Sequence, residues 1–168
     1  MLVVVSVVAV VVCVASYLTW LAQRLDRLAV RVEAARSALD AQLVRRAAIA
    51  HDLAHDATGI GSPEVHRVAR AAMAVRDTGD GDRATAENAL TRALRSELES
   101  GTTPLADADE LRAAAERVVL ARQIHNDGVR DLLALRQRRL VRWLHLYGYA
   151  TAPSYLEFDV AMPVPPAP

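Results

Sequence analysis

The chain has 168 residues, with 20 basic residues that are all Arg, 20 acidic residues and a formal net charge of zero. That balance supplies no broad positive field, so a nucleic-acid partner is not expected. A single Cys excludes an intrachain disulfide and a cysteine metal cluster, while a composition rich in Ala, Leu, Arg and Val is that of long helices.

Leu2 to Ala22 carry no charge and are mainly Val, Leu and Ala. At about 1.5 Å per residue they cover about 30 Å, the thickness of a bilayer's hydrocarbon core. Residues 1–23 are therefore read as a transmembrane anchor. A cleaved signal peptide is the weaker reading, because the apolar run exceeds the usual length and lacks a basic leader. Arg24, Arg27, Arg31 and Arg36 follow the span, so the positive-inside rule expects a short external N-terminus and a cytoplasmic domain. The exclusive use of Arg is typical of a GC-rich bacterial genome, which makes the expected location a bacterial inner membrane. An exported helical envelope protein is the alternative.

No Gly or Pro follows Gln23 until Gly59, and Leu25, Leu28, Val32, Ala35 and Leu39 recur at three- and four-residue steps. This seam resembles a coiled coil and predicts a helix to about Ala57, ended by Gly59-Ile60-Gly61. Ser62-Pro63-Glu64 reads as the N-cap, first-turn proline and first-turn acid of a short helix carrying Val65, Val68, Ala72 and Val75. Asp77 to Asp82 reads as a turn. A third helix, from about Ala84 to Ser100, presents Leu90, Leu94 and Leu98. The last is expected from about Ala108 to Leu146, with Leu111, Ala114, Val118, Ala121, Leu132 and Leu135 on one face.

The expected fold class is all-α. An N-terminal transmembrane helix continues into an antiparallel four-helix bundle of two long and two short helices over residues 24–148. Short connections make neighbours antiparallel, so the short pair covers the membrane-distal half of the long pair above a two-helix stalk. The exposed stalk seam leaves room for a homo-oligomer.

There are seven aromatic residues: two Trp, four Tyr and one Phe. None lies between Leu21 and Arg142, so the distal core is expected to hold no aromatic ring. In the antiparallel arrangement Trp143 and Tyr147 return to the level of Tyr17 and Trp20, an interfacial belt. Arg138, Arg139 and Arg142 beside them are placed to meet lipid phosphates; plain packing on the stalk is the alternative. Residues 149–168 hold five of the seven prolines and are expected to be an extended, disordered tail. Its one sticky segment, Tyr155-Leu156-Glu157-Phe158, either docks on a partner or folds back.

Two segments carry a family likeness. One runs Arg31-Val32-Glu33-Ala34-Ala35-Arg36-Ser37-Ala38-Leu39-Asp40-Ala41-Gln42-Leu43-Val44-Arg45-Arg46, the other Ala121-Arg122-Gln123-Ile124-His125-Asn126-Asp127-Gly128-Val129-Arg130-Asp131. Together with the order of elements they resemble the LemA family of bacterial membrane-anchored helical proteins, over roughly residues 20 to 150. The chain departs from it at His125, where an aromatic residue is usual, and at Ala50-His51-Asp52-Leu53, which replaces an Ile-Pro-Asn-Leu element. The resemblance implies a helical cytoplasmic domain and no established activity.

Continuing the first seam by heptads places Gln42 and Arg46 at interior positions, and the last helix places His125 there. With Asp40, Arg45, Arg122 and Asn126 beside them, these residues are read as a buried polar layer. The antiparallel register sets Gln42 level with Arg122 and Asp40 level with His125. A buried Arg needs carboxylate or amide partners, so the layer reads as a register-fixing network or as a contact patch for a protein partner.

Catalytic constellations are scarce. His51 and His55 are spaced i, i+4 on one face, as zinc ligands are, with Asp52 between them and His66 past the turn. A metal-dependent hydrolase using His51 and His55 is thus the enzymatic alternative, although Asp52 is a methylene shorter than the Glu such sites use and no third ligand is evident. The Asp77 to Asp82 run fails the calcium-loop pattern at Gly79 and Gly81. No nucleophile–base pair, phosphate loop or cofactor motif is present. The sequence points to a non-enzymatic membrane-anchored scaffold, its partners the bilayer and unidentified proteins.

Overall fold

The computed structural model describes residues 1–55, 63–75, 80–100, 105–138, 141 and 153–161. Among these the fold is all-α, with no strand and four helices: α1 (Leu2–His55), α2 (Pro63–Ala74), α3 (Asp80–Glu99) and α4 (Leu105–Arg136). α1 is one 54-residue helix because neither Gly nor Pro interrupts it. It is long and apolar enough to cross a membrane. Its apolar N-terminal half is exposed, Val3 to 75% and Val10 to 61%. Within that half the Ser6 hydroxyl donates to Leu2 O at 3.0 Å and the Thr19 hydroxyl to Ala15 O at 2.9 Å, so both are satisfied inside the helix.

Two boundaries differ from expectation. α3 starts at Asp80 instead of Ala84, since Asp80 and Asp82 fall in its first turn, where carboxylates complement the positive end of the helix dipole. Asp80 also pairs with Arg36 of α1. The expected continuous last helix is interrupted: α4 closes at Arg136 and the chain turns through Gln137 and Arg138, with basic side chains at the negative helix end. Residues 139–140 and 142–150 lie outside the described residues.

The chain divides into two compact units. The first comprises Met1–Ala34 with Asp127–Ser154. Leu21, Leu25 and Val32 of α1 pack there against Val129, Leu132 and Leu135 of α4 and Val141. Gly128 permits this approach: a Cβ on it would lie 3.2 Å from Val32 Cγ2. On the outside of this unit the rings of Tyr17 and Trp20 stack at 6.1 Å, and the Arg24 guanidinium sits 5.4 Å from the Trp20 ring centre.

The second unit comprises Ala35–Asn126 with Tyr155–Pro168. All four helices contribute to one cluster: Ala47 and Ala50 (α1), Val65, Ala69 and Ala72 (α2), Leu90 and Leu94 (α3), and Leu111 (α4). α2 lies along α3. A second cluster joins Leu39 and Leu43 of α1 to Ala115 and Val118 of α4 and closes on Leu156, Phe158 and Val160. Two expectations, a disordered tail and a distal core without aromatic rings, are corrected by this cluster. Of the two fates left open for Tyr155–Phe158, the segment folds back on its own chain. Tyr155–Ala161 is extended but packed instead of disordered, and it carries the chain's single Phe into a core expected to lack aromatic rings. Alternation is the physical reason: every second residue is apolar, so an extended segment buries one whole face.

Candidate functional site

α3 positions the site through two stripes that cross at Thr91. One stripe is Arg83, Glu87 and Thr91, four residues apart and all buried; it faces α1. Arg83 Nη2 lies 3.3 Å from Asp40 Oδ1. The Arg46 guanidinium, fully buried, donates from Nη2 to Glu87 Oε2 at 2.7 Å and to Glu87 O at 3.4 Å, and from Nη1 to the Thr91 hydroxyl at 3.2 Å. Burial pushes the Glu87 carboxyl above its ordinary pKa and the Arg46 guanidinium below its own, each offset in part by the opposite charge.

The other stripe is Asn88, Thr91 and Arg95, and it faces the Tyr155–Ala161 segment. The Thr91 hydroxyl donates to Asp159 O at 2.8 Å. Asn88 Oδ1 accepts from Asp159 N–H at 2.7 Å. Arg95 Nη2 donates to Asp159 Oδ2 at 3.0 Å and to Ala161 O at 2.8 Å.

α4 grips the segment from its other side. Asn126 Nδ2 donates to Leu156 O at 3.2 Å, and Asn126 Oδ1 accepts from Leu156 N–H at 3.1 Å. One amide side chain thus makes both bonds that a neighbouring strand would make. Arg122 donates to Phe158 O, its guanidinium 5.5 Å from the Phe158 ring centre. The site is a groove that holds an extended peptide: helix side chains take the main chain, while Leu156, Phe158 and Val160 fill the apolar floor. Ala84 and Ala121, both partly buried, pack against that floor. The Asp159 carboxylate is held below the usual carboxylate range by the Ala161 N–H first and then by Arg95.

The expected polar layer is thereby sorted. Arg46 and His125 are buried, as expected of them. Asp40, expected level with His125, meets Arg83, and Arg122 turns to the tail instead of Gln42. Two residues are corrected outright. Arg45 is exposed, and Gln42 is only partly buried, beside Ala38, Leu120 and Ile124 on a shallow face between α1 and α4. For Gln42 the heptad extrapolation drifts from the 3.6-residue helix, so that Leu43 takes the interior place. Arg45 lies off the face that Leu43, Arg46, Ala47 and Ala50 bury. Of the interface set, Tyr17, Trp20 and Arg138 are exposed; Arg139, Arg142, Trp143 and Tyr147 lie outside the described residues.

His51 meets His66, with ring centres 4.2 Å apart and planes tilted 32°. The two rings are in tilted contact, and Arg70 Nη2 lies 3.1 Å from His66 Nε2. The His55 side chain lies outside the description. Among the described residues no three His, Cys, Asp or Glu gather as a metal site.

Glu87, Asn88, Thr91 and Arg95 had no place among the expected site residues. Their signal was present as polar residues at helical spacing, a pattern that equally describes a solvated face. No family model, curated protein or solved structure matches this chain.

Proposed function

We propose that the chain is a non-enzymatic, membrane-anchored interaction protein of a bacterial inner membrane, its helical unit cytoplasmic and built to hold extended peptide. One observation carries the reading: α1 runs unbroken from an exposed apolar stretch into residues that build a packed core. An apolar helix half left uncovered by protein finds its lowest free energy in lipid. The internally bonded Ser6 and Thr19 hydroxyls fit that medium. Arg24, Arg27, Arg31 and Arg36 support a cytoplasmic domain, as does the LemA resemblance. The peptide groove supports interaction, not chemistry, as the activity.

Protease treatment of spheroplasts carrying the full chain with a C-terminal tag tests this. Protection until permeabilisation, with the tag in the membrane pellet, is the expected result. Cleavage in intact spheroplasts would reverse the orientation and favour an envelope protein, and recovery in the soluble fraction would remove the anchor.

A further inference from the structure

The groove recognises features that any copy of this chain carries. It binds main-chain groups of Leu156, Phe158, Asp159 and Ala161 through Asn88, Thr91, Arg95, Arg122 and Asn126. Specificity comes from three alternating apolar side chains and one acid, Asp159, facing Arg95. Nothing in that list depends on the segment belonging to the same chain. Thirteen residues separate Val141, packed in the first unit, from Tyr155, a contour of at most about 47 Å along which the segment can leave its own groove for that of a neighbouring copy. Exchange of identical segments creates no new interface chemistry, so its free energy is set by linker and concentration alone. Anchoring would raise that concentration by confining copies to a surface.

We propose that the groove also accepts the Tyr155–Ala161 segment of a second copy, linking anchored chains by exchange of straps. The groove geometry carries this; the anchor reading enters only through local concentration, and the spheroplast experiment tests it separately.

The test uses full-length chains with Cys13→Ser, in lipid vesicles under mild oxidation. A chain carrying both Asn88→Cys and Asp159→Cys reports the strap on its own groove as an internal disulfide. A mixture of chains carrying Asn88→Cys alone and Asp159→Cys alone reports exchange as a covalent dimer. The expected result is both products, with Phe158→Asp in the Asp159→Cys chain reducing dimer at least about tenfold, the loss that unburying an aromatic ring implies. Internal disulfide without dimer from the mixture would overturn the proposal and leave the strap private to each chain. Dimer that survives Phe158→Asp would mark chance collision and overturn it equally. If the doubly substituted chain forms no internal disulfide, the groove reading falls and the exchange with it.

Discussion

At the scale of single residues the decisive contact is Arg46 with Glu87. Two charges have left water, and their attraction at 2.7 Å offsets a desolvation penalty of several kcal/mol per ion. Such a pair adds little net stability compared with apolar residues of equal volume. Breaking it is another matter. Arg46→Leu leaves the buried Glu87 carboxylate without its 2.7 Å partner and with the more distant charge of Arg83. Denaturant unfolding of the detergent-solubilised chain should show a loss of up to about 3–5 kcal/mol. Because burial already raises the Glu87 pKa, the loss should be greatest at neutral pH. It should shrink as pH falls and Glu87 takes up a proton. Arg46→Leu combined with Glu87→Leu should recover most of the stability. A double variant as weak as the single one would show that the pair matters for more than its charge balance.

At the scale of elements, the strap is held by polar side chains over a small apolar floor, so its docking should respond to pH through Asp159. The carboxylate's pKa in the docked state is depressed by the Ala161 N–H and Arg95. A depressed acid contributes docking free energy that is fully present above its ordinary value near 4 and is lost as pH falls through the docked value. Phe158 is the chain's single Phe, so fluorinated phenylalanine gives one resonance that reads docked against free strap. The docked signal should persist from pH 7 to about 5 and weaken below about 4. Asp159→Asn should flatten that response while keeping an acceptor for the Ala161 N–H. A response that persists in Asp159→Asn would move its origin to another acid.

At the scale of the whole molecule, the all-α fold was legible because hydrophobic period and Gly/Pro punctuation agree along the chain. The seam Leu25, Val32, Leu39 is buried, and α2 lies where Pro63 opens it. The candidate site was only half legible. Arg46 stands out as a polar residue at an interior heptad position, and Arg122 and Asn126 as members of the last-helix segment set level with it, whereas Glu87 and Thr91 belong to a polar stripe indistinguishable by sequence from a wet surface. The strap was hidden by its neighbourhood: prolines on both sides argue for disorder, while three alternating apolar residues are too short a pattern to overrule them. Its contribution to the molecule is measurable. Burying one large apolar side chain is worth about 1.5–3 kcal/mol, and the strap buries three. A chain ending at Ala152 should therefore melt at lower temperature and bind a hydrophobic dye that the full chain excludes; an unchanged melt would show the strap to be a passenger.

The alternation that docks the strap also bears on aggregation. Leu156, Phe158 and Val160 on one face of an extended segment are what cross-β stacking requires. The opposite face carries Glu157 and Asp159, both exposed. Stacked in register, like strands would set Glu157 on Glu157 and Asp159 on Asp159 at a spacing of about 4.8 Å, where like charges repel. The same carboxylates that suit an Arg-bordered groove thus act as gatekeepers against fibrils, leaving a released strap the groove of a helical unit as its favourable destination.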